Sequence, residues 1–415
     1  MKILYLAHRI PYPPNKGDKI RSFNEIKYLS SSHEIHLACL ADNPADLKHA
    51  NDLNQYCKKV YVAPLNKTIA KAKSLTSLFH DRPLSVAYFY SNSLQTVINQ
   101  WLSGNSYDAI ICFSSPMAEY LLRSPTLRYR FSLRHVPYPM RHAPRLIMDF
   151  CDLDSDKWLQ YSQRSRFPLN LVYRVEHKRL FKYEKRINQL FNHSVFVSRN
   201  EADLFSRLSP EAKNISVIPN GVDYNHFSPQ ASGLEPLALS RKTPVLLFTG
   251  AMDYHANIEG VTWFSDSIFP RVKKEVRAAQ FYIVGSNPHP RVKSLDNGAG
   301  IMVTGFVQDT RPYYQAAGVC VIPLRLARGV QNKVLEAMAM GKAVVTTSKA
   351  IEGIQALREE HVLVANNPED FSGAVLMLLN HEARRNRLGA MAREFVMKNH
   401  HWPTNMKKLE ALLQA

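Results

Sequence analysis

A loop and helix late in the chain carry the side chains best suited to binding a charged ligand. The spacing predicts a helix over about 331–340, directly after a strand and a glycine-containing loop. The first turn of a helix carries unpaired N–H groups and a partial positive charge, so it attracts anions. Arg328 and Lys333 add full charges there, and the backbone of Gly329 and Val330 allows a ligand to approach closely. This arrangement suits a diphosphate.

Glu336 lies one turn inside the same helix, among apolar neighbours. A carboxylate in such surroundings needs hydrogen-bond donors, and the hydroxyls of a ribose would supply two. The alternative is a salt bridge with a nearby Lys or Arg. Arg325 adds a further positive charge beside the start of the helix.

A second candidate site lies near the start of the chain, in the loop of residues 15–22. Gly17 precedes a predicted helix over 19–29, so backbone N–H groups and the helix dipole would face a ligand there. An ordinary turn explains a lone glycine equally well. We expect Arg21 to point into a ligand cleft, and a surface role is the alternative.

Four carboxylates, Asp149, Asp152, Asp154 and Asp156, crowd eight positions where another predicted strand ends. Carboxylates in this position suit hydrogen bonding to sugar hydroxyls, and Asp152 is our candidate catalytic side chain. Helix capping by Asp154 or Ser155 is the alternative for those two residues. Without a histidine among them, the acids do not indicate a metal site, and none is predicted.

Apolar strands that alternate with helices position these candidates and predict an α/β protein with two parallel sheets. We assign 1–225 to an N-terminal, acceptor-side Rossmann-like domain and 226–243 to a linker. A second Rossmann-like domain, 244–400, would bind the nucleotide, and the helix in 401–415 could cross back to the first domain. Two doubly wound domains facing across a cleft would bind ligands at the carboxyl ends of their strands.

Composition and charge narrow the class of protein. The chain has 415 residues, 45% of them hydrophobic, which indicates folded domains rather than disorder. Its formal net charge is +18, and residues 121–186 hold fifteen Lys or Arg against six Asp or Glu. A nucleic-acid surface, an anionic membrane surface and a solvated face all remain open. We favour the membrane, because Tyr129, Phe131, Tyr138 and Met140 accompany the arginines and no nucleic-acid motif does.

Localisation follows from the same features. No apolar run is long enough to span a bilayer, and the first residues lack the pattern of a signal peptide. We therefore expect a cytoplasmic protein held peripherally at the inner membrane, without nucleic acid as a partner.

The run from Glu336 to Val345, EAMAMGKAVV, resembles the signature of glycosyltransferase family 4. Phe248-Thr249-Gly250 and Asn220-Gly221-Val222-Asp223 resemble other segments of that family, and residues 329–333, GVQNK, resemble its exosortase-associated subgroup. The resemblance implies a GT-B fold, a nucleoside diphosphate sugar as donor, retention at the anomeric carbon and no essential metal or other cofactor.

Carried onto this chain, the resemblance makes Glu336 the glutamate that binds the donor ribose and places Gly250 in the donor site. Arg328 stands where the family has its first glutamate, and Ala251 and Asn257 stand near the places of its usual Arg and Lys. We suggest that Arg328 and Lys333 compensate.

The sequence therefore predicts a retaining glycosyltransferase that moves a sugar to a lipid-linked saccharide in exopolysaccharide synthesis. A GT-B sugar-nucleotide epimerase and a non-catalytic sugar-nucleotide-binding protein remain as alternatives.

Overall fold

A computed structural model describes residues 1–127, 143–230, 243–296, 298 and 300–414. The four aromatic and methionine side chains named in the basic region, and most of the predicted linker, lie outside these residues. The chain divides into two compact units. Unit 1 comprises Met1–Ile218 with Met406–Ala415, and unit 2 comprises Pro219–Asn405.

Unit 1 is built on a parallel sheet of seven strands in the order β3-β2-β1-β4-β5-β6-β7. The central strands are apolar on both faces, because helices cover both sides of the sheet. The strands are β1 (Lys2–Ala7), β2 (Glu34–Ala41), β3 (Lys59–Pro64), β4 (Ala109–Phe113), β5 (Arg145–Cys151), β6 (His193–Phe196) and β7 (Ile215–Val217).

Helices connect and cover these strands, as the right-handed crossovers of a parallel sheet require. They are α1 (Gly17–Leu29), α2 (Lys67–Thr76), α3 (Leu84–Tyr88), α4 (Asn92–Gly104), α5 (Ala118–Leu122), α6 (Asp154–Arg164), α7 (Leu169–Leu190) and α8 (Arg199–Leu208). Short 3₁₀ segments add Pro44–His49, Asn51–Gln55, Ser77–Phe79 and Ser115–Met117.

Unit 2 repeats the plan with six parallel strands in the order β10-β9-β8-β11-β12-β13. They are β8 (Val245–Thr249), β9 (Gln280–Val284), β10 (Ile301–Gly305), β11 (Val319–Ile322), β12 (Ala343–Thr346) and β13 (Leu363–Val364). The helices are α9 (His255–Trp263), α10 (Phe269–Glu275), α11 (Pro290–Lys293), α12 (Arg311–Ala316), α13 (Asn332–Ala339), α14 (Ser348–Ile351), α15 (Pro368–Asn380) and α16 (Glu382–Asn399). Helix α17 (Trp402–Gln414) begins in unit 2 and ends in unit 1.

The predicted α/β class with two doubly wound Rossmann-like domains is confirmed. Helix α9 begins at His255 and continues through a π-helical turn, Phe264–Ile268, into α10. The chain divides after Ile218 rather than after 225, and the end of α17 groups with unit 1. Within the residues that the structure describes, no helix has both the length and the apolar character needed to cross a bilayer.

Candidate functional site

The candidate donor site lies at the carboxyl ends of β8 and β11, two neighbours in the centre of the unit 2 sheet. Successive connections leave this pair in opposite directions, so the crossovers diverge and open a crevice above the strand ends. The loop after β8 begins with Gly250, and the loop after β11 leads into α13. The helix predicted from the sequence is therefore confirmed, starting at Asn332.

Lys333, in the first turn of α13, is the cation at the centre of this arrangement. Its Nζ donates a hydrogen bond to Oδ1 of Asn257 at 2.6 Å and lies 4.2 Å from the centroid of the Phe248 ring. Asn257 is fixed in turn, because its Nδ2 donates to the carbonyl of Ala251 at 2.8 Å. The ammonium is thus held by an amide and an aromatic face.

The electrostatics of Lys333 favour an anionic ligand. Burial lowers the pKa of its ammonium to about 7, although the nearby Glu336 carboxylate opposes that shift. Among the described residues, no carboxylate oxygen comes within 4.0 Å of its Nζ. A bound diphosphate would supply the missing counter-charge and restore the charged form.

Gly250 permits this close packing around Lys333. A Cβ atom at this position would lie 2.9 Å from the Lys333 Nζ and 2.8 Å from the Asn257 Nδ2. The residue also adopts a φ of +155°, which side-chain-bearing residues rarely adopt. The predicted donor-site glycine therefore lies directly beside the cation.

Glu336 lies one turn further along α13 and is half-buried. Its Oε2 accepts a hydrogen bond from the Tyr314 hydroxyl at 3.0 Å, and that hydroxyl also lies 2.8 Å from the Thr249 Oγ1. Burial raises the pKa of Glu336, although Tyr314 and Lys333 both favour its ionised form. Within the described part of the chain, Oε1 has no hydrogen-bond partner, so it can accept from a ligand.

The salt bridge considered for Glu336 is not found among the described residues, and its partner Tyr314 was missed by the sequence reasoning. Tyr314 is on α12, 22 positions away, and no local pattern links the two. Arg325, another cation predicted beside the start of the helix, is exposed, pairs with Glu259 and lies over Trp263, 5.0 Å from the ring centroid. Glu259 therefore offsets the charge of Arg325, and the contribution of Arg325 to the anion site stays a prediction.

The other predicted donor-side residues occupy the loop before α13. Arg328 and Val330 are half-buried, and the buried Gly329 between them has a φ of +58°. That left-handed conformation turns the chain into the helix and strongly favours glycine. Asn220, in the other segment noted in the sequence, donates to the Oδ1 of Asn332 at 3.2 Å and supports the helix start. The ligand roles of Arg328, Gly329 and Val330 stay predictions.

Arg21 corrects the sequence analysis, because its side chain is completely buried in unit 1. Its Nε and Nη2 donate to Oδ2 of Asp149 at 2.9 and 2.7 Å, and its Nη1 donates to the carbonyl of Ile218 at 2.7 Å. Glu25 lies 3.1 Å away on the same helix. The guanidinium therefore links α1 to β5 within the core and does not point into a cleft.

Gly17 is the exposed first residue of α1. The next residue, Asp18, places a carboxylate in the first turn, 2.6 Å from Arg9 and 3.2 Å from His8. Burial disfavours ionised Asp18, but the hydrogen bond from His8 and the charge of Arg9 hold its pKa far below the usual range. The ligand role of Gly17 stays a prediction.

Asp152 follows the carboxyl end of β5 and is half-buried. Capping of α6 by Asp154 or Ser155 is not observed; Glu184 instead accepts a hydrogen bond from the Ser155 N–H at 3.3 Å. The catalytic role of Asp152 stays a prediction. Among the described residues, no group of three or more His, Cys, Asp or Glu side chains is placed to hold a metal ion.

Comparison with known proteins agrees with this geometry. Residues 243–381 match the family described as "Glycosyl transferases group 1". A Klebsiella pneumoniae protein, described as an uncharacterized 44.6 kDa protein in the cps region, is 22% identical over 414 residues, covering 96% of each chain.

Solved structures match along the whole chain. A sucrose-phosphate synthase from Thermosynechococcus elongatus has a TM-score of 0.71 at 17% identity, covering 100% of this chain and 98% of its own. Anabaena Alr3699/HepE in complex with UDP-glucose has a TM-score of 0.66 at 14% identity, covering 100% and 99%.

The two Rossmann-like units define the GT-B fold, and the chain is a glycosyltransferase. The match to the group 1 family covers the part of unit 2 that carries Gly250, Lys333 and Glu336.

Proposed function

We propose that this protein is a retaining glycosyltransferase of family 4, of the exosortase-associated subgroup, acting in exopolysaccharide synthesis. It transfers a sugar from a nucleoside diphosphate sugar to a lipid-linked saccharide. The observation that carries the donor half of this proposal is the placement of Lys333, Gly250 and Glu336 around one crevice at the centre of a parallel sheet.

Each donor group has a partner of matching chemistry in that crevice. The diphosphate lies against the Lys333 ammonium and the first N–H groups of α13, which are positive. The ribose hydroxyls donate to the Oε1 of Glu336, while Tyr314 fixes the other carboxylate oxygen. The complex of Anabaena Alr3699/HepE with UDP-glucose supports a UDP-sugar as one candidate donor.

The reaction breaks the bond between the anomeric carbon and the diphosphate, which leaves with the electron pair. Lys333 and the helix dipole stabilise the negative charge that develops on the leaving oxygen. Such preorganised electrostatic stabilisation is the largest contribution to the rate enhancement of many enzymes. Arg328 adds a second charge from the preceding loop. The acceptor hydroxyl bonds to the anomeric carbon from the face that the diphosphate leaves and passes its proton to the departing phosphate oxygen. Retention of configuration in this way requires no covalent protein nucleophile.

The part of the proposal that concerns the acceptor rests on the basic residues of the chain and on one relative. The Klebsiella pneumoniae relative is described by its place in the cps region, which supports a role in polysaccharide synthesis. The excess of Lys and Arg in the sequence of residues 121–186 supplies the positive charge for a lipid-linked acceptor at the cytoplasmic face of the inner membrane. Gly17 and Asp152, both near carboxyl ends of unit 1 strands, are the proposed acceptor-side contacts.

A ligand panel followed by product analysis tests the proposal. UDP-, GDP- and ADP-sugars are screened by thermal shift, because a ligand of the folded state raises the melting temperature. The stabilising donor is then incubated with a lipid-linked saccharide, and the anomeric configuration of the product is read by NMR. Transfer with retention is expected. Conversion of the donor without an acceptor would indicate an epimerase, and binding without any turnover would indicate a non-catalytic protein.

A further inference from the structure

Helices α6 and α7 pack against each other as an antiparallel hairpin that begins at the carboxyl end of β5. Glu184 marks the level of the sheet edge, because its Oε1 lies 3.4 Å from the Ser115 Oγ and 3.3 Å from the Ser155 N. Those two serines follow the carboxyl ends of β4 and β5. The fifteen residues of α7 that precede Glu184 span about 22 Å of helix, and their contacts with the rest of unit 1 include those of Arg179 with Ser77 and of Glu176 with Ser85.

The turn of this hairpin exposes apolar side chains where a solvent-facing turn carries polar ones. Phe167 is 78% exposed, Leu169 52% and Leu171 50%. Beneath them the rings of Trp158, Tyr161 and Tyr173 pack together, with centroids 5.3 to 6.1 Å apart, and give the turn a rigid base. We call the three exposed apolar residues and their flanking arginines the hairpin tip.

Only cations accompany the apolar residues of the hairpin tip. Arg164, Arg166 and Arg174 are exposed, and residues 157–175 contain no Asp or Glu. The two acids of α7 are buried: Glu184 faces the start of α6, and Glu176 accepts hydrogen bonds from the N–H groups of Leu84 and Ser85, at 2.5 and 2.9 Å. Both acidic side chains of α7 are therefore buried, and its exposed charged side chains are all basic.

We propose that the hairpin tip inserts into an anionic phospholipid bilayer. The exposed apolar side chains enter the boundary between headgroups and acyl chains, and the arginines bind the lipid phosphates. This inference rests on the proposed function, which places the acceptor at a membrane. It assigns the contact between protein and membrane to the turn between α6 and α7. The exposure of Phe167, Leu169 and Leu171 leaves their apolar surface available to a lipid.

Vesicle sedimentation with a matched pair of double variants tests the tip. The full-length protein is mixed with phosphatidylcholine vesicles, with or without phosphatidylglycerol. R166Q/F167S changes the tip, and R207Q/L208S makes the same kind of change at the exposed end of α8 in the same unit. Binding to phosphatidylglycerol vesicles is expected to fall at least about tenfold for the tip variant and to stay unchanged for the control.

The outcomes distinguish the possible binding partners of the hairpin tip. Equal binding by wild type and the tip variant, or equal binding of wild type to both vesicle types, would overturn the proposal. A changed oligomeric state with unchanged lipid binding would instead assign the tip to a second copy of the chain. Melting temperature and stabilisation by the donor sugar are measured on all variants; if no donor stabilises even wild type while lipid binding persists, the proposed function fails and the tip assignment stands.

Discussion

The Lys333 ammonium lies 2.6 Å from the Oδ1 of Asn257. The positive charge of a residue on α13 therefore lies beside a residue on α9. The resemblance to family 4 places a lysine near Asn257, and this chain has none there. The spatial pairing supports Lys333 as the replacement for that missing cation. The positive charge beside Gly250 is thus present but comes from a different helix.

The low pKa of Lys333 predicts that donor affinity depends on pH. The free protein loses the Lys333 proton as pH rises through about 7, whereas a bound diphosphate favours the charged form and raises this pKa. Donor affinity should therefore be highest below pH 7 and fall above it, by up to about tenfold per pH unit. Calorimetric titration across this range measures the effect.

A Lys333→Arg variant is the control for that titration, because arginine keeps its charge over the whole range. Its donor affinity should vary little between pH 7 and pH 9. An equally steep fall in the arginine variant would assign the titration to another group.

Gly250→Ala should weaken donor binding, because the new Cβ would meet the Lys333 Nζ at 2.9 Å and the Asn257 Nδ2 at 2.8 Å. We expect a rise of about tenfold or more in donor KM, since displacing a charged hydrogen-bonded group costs about 1.5–3 kcal/mol. Gly373→Ala is the matched control, because an added Cβ there has no atom within 4 Å. An unchanged KM in the Gly250 variant would separate this glycine from the donor site.

Glu336 is predicted to recognise the ribose of the donor by hydrogen bonding. Wild type should bind a ribonucleoside diphosphate more tightly than its 2′,3′-dideoxy analogue, by about tenfold, because the carboxylate accepts hydrogen bonds from the hydroxyls. Glu336→Ala should remove most of that preference. Tyr314→Phe, which keeps the carboxylate but loses the hydrogen bond to Oε2, should reduce the preference by less. Equal discrimination in wild type and Glu336→Ala would contradict the assignment.

Arg21 is predicted to matter for stability, because Arg21→Met leaves the Asp149 carboxylate buried without its guanidinium. Breaking a buried ion pair in this way costs about 3–5 kcal/mol, so the urea midpoint should fall strongly. Adding Asp149→Asn to the same chain should recover part of the loss. A stable Arg21→Met protein with an altered acceptor KM would restore the role that the sequence analysis assigned to it.

Local patterns in the sequence predicted the architecture well, because strands buried on both faces and helix starts are encoded by neighbouring residues. The predicted helix over 19–29 ends at Leu29 as observed, and α13 begins within one residue of the prediction. Contacts between distant residues could not be read in this way. Tyr314 meets Glu336, and Arg21 meets Asp149, only because the crossovers bring their elements together. Arg21 in particular is a residue type that often binds anionic ligands, but in the structure it forms a buried ion pair in the core.

The most direct measurement is calorimetric titration of wild type and Lys333→Met with the nucleoside diphosphate of the stabilising donor and with the corresponding nucleoside. Our account predicts that the methionine variant loses about tenfold to a hundredfold in affinity for the diphosphate and keeps its affinity for the nucleoside. Lys349→Met, which removes an exposed lysine paired with Glu352, should bind both ligands as wild type does. If Lys333→Met binds the diphosphate as tightly as wild type, the phosphate site is not at the start of α13 and the central claim is wrong.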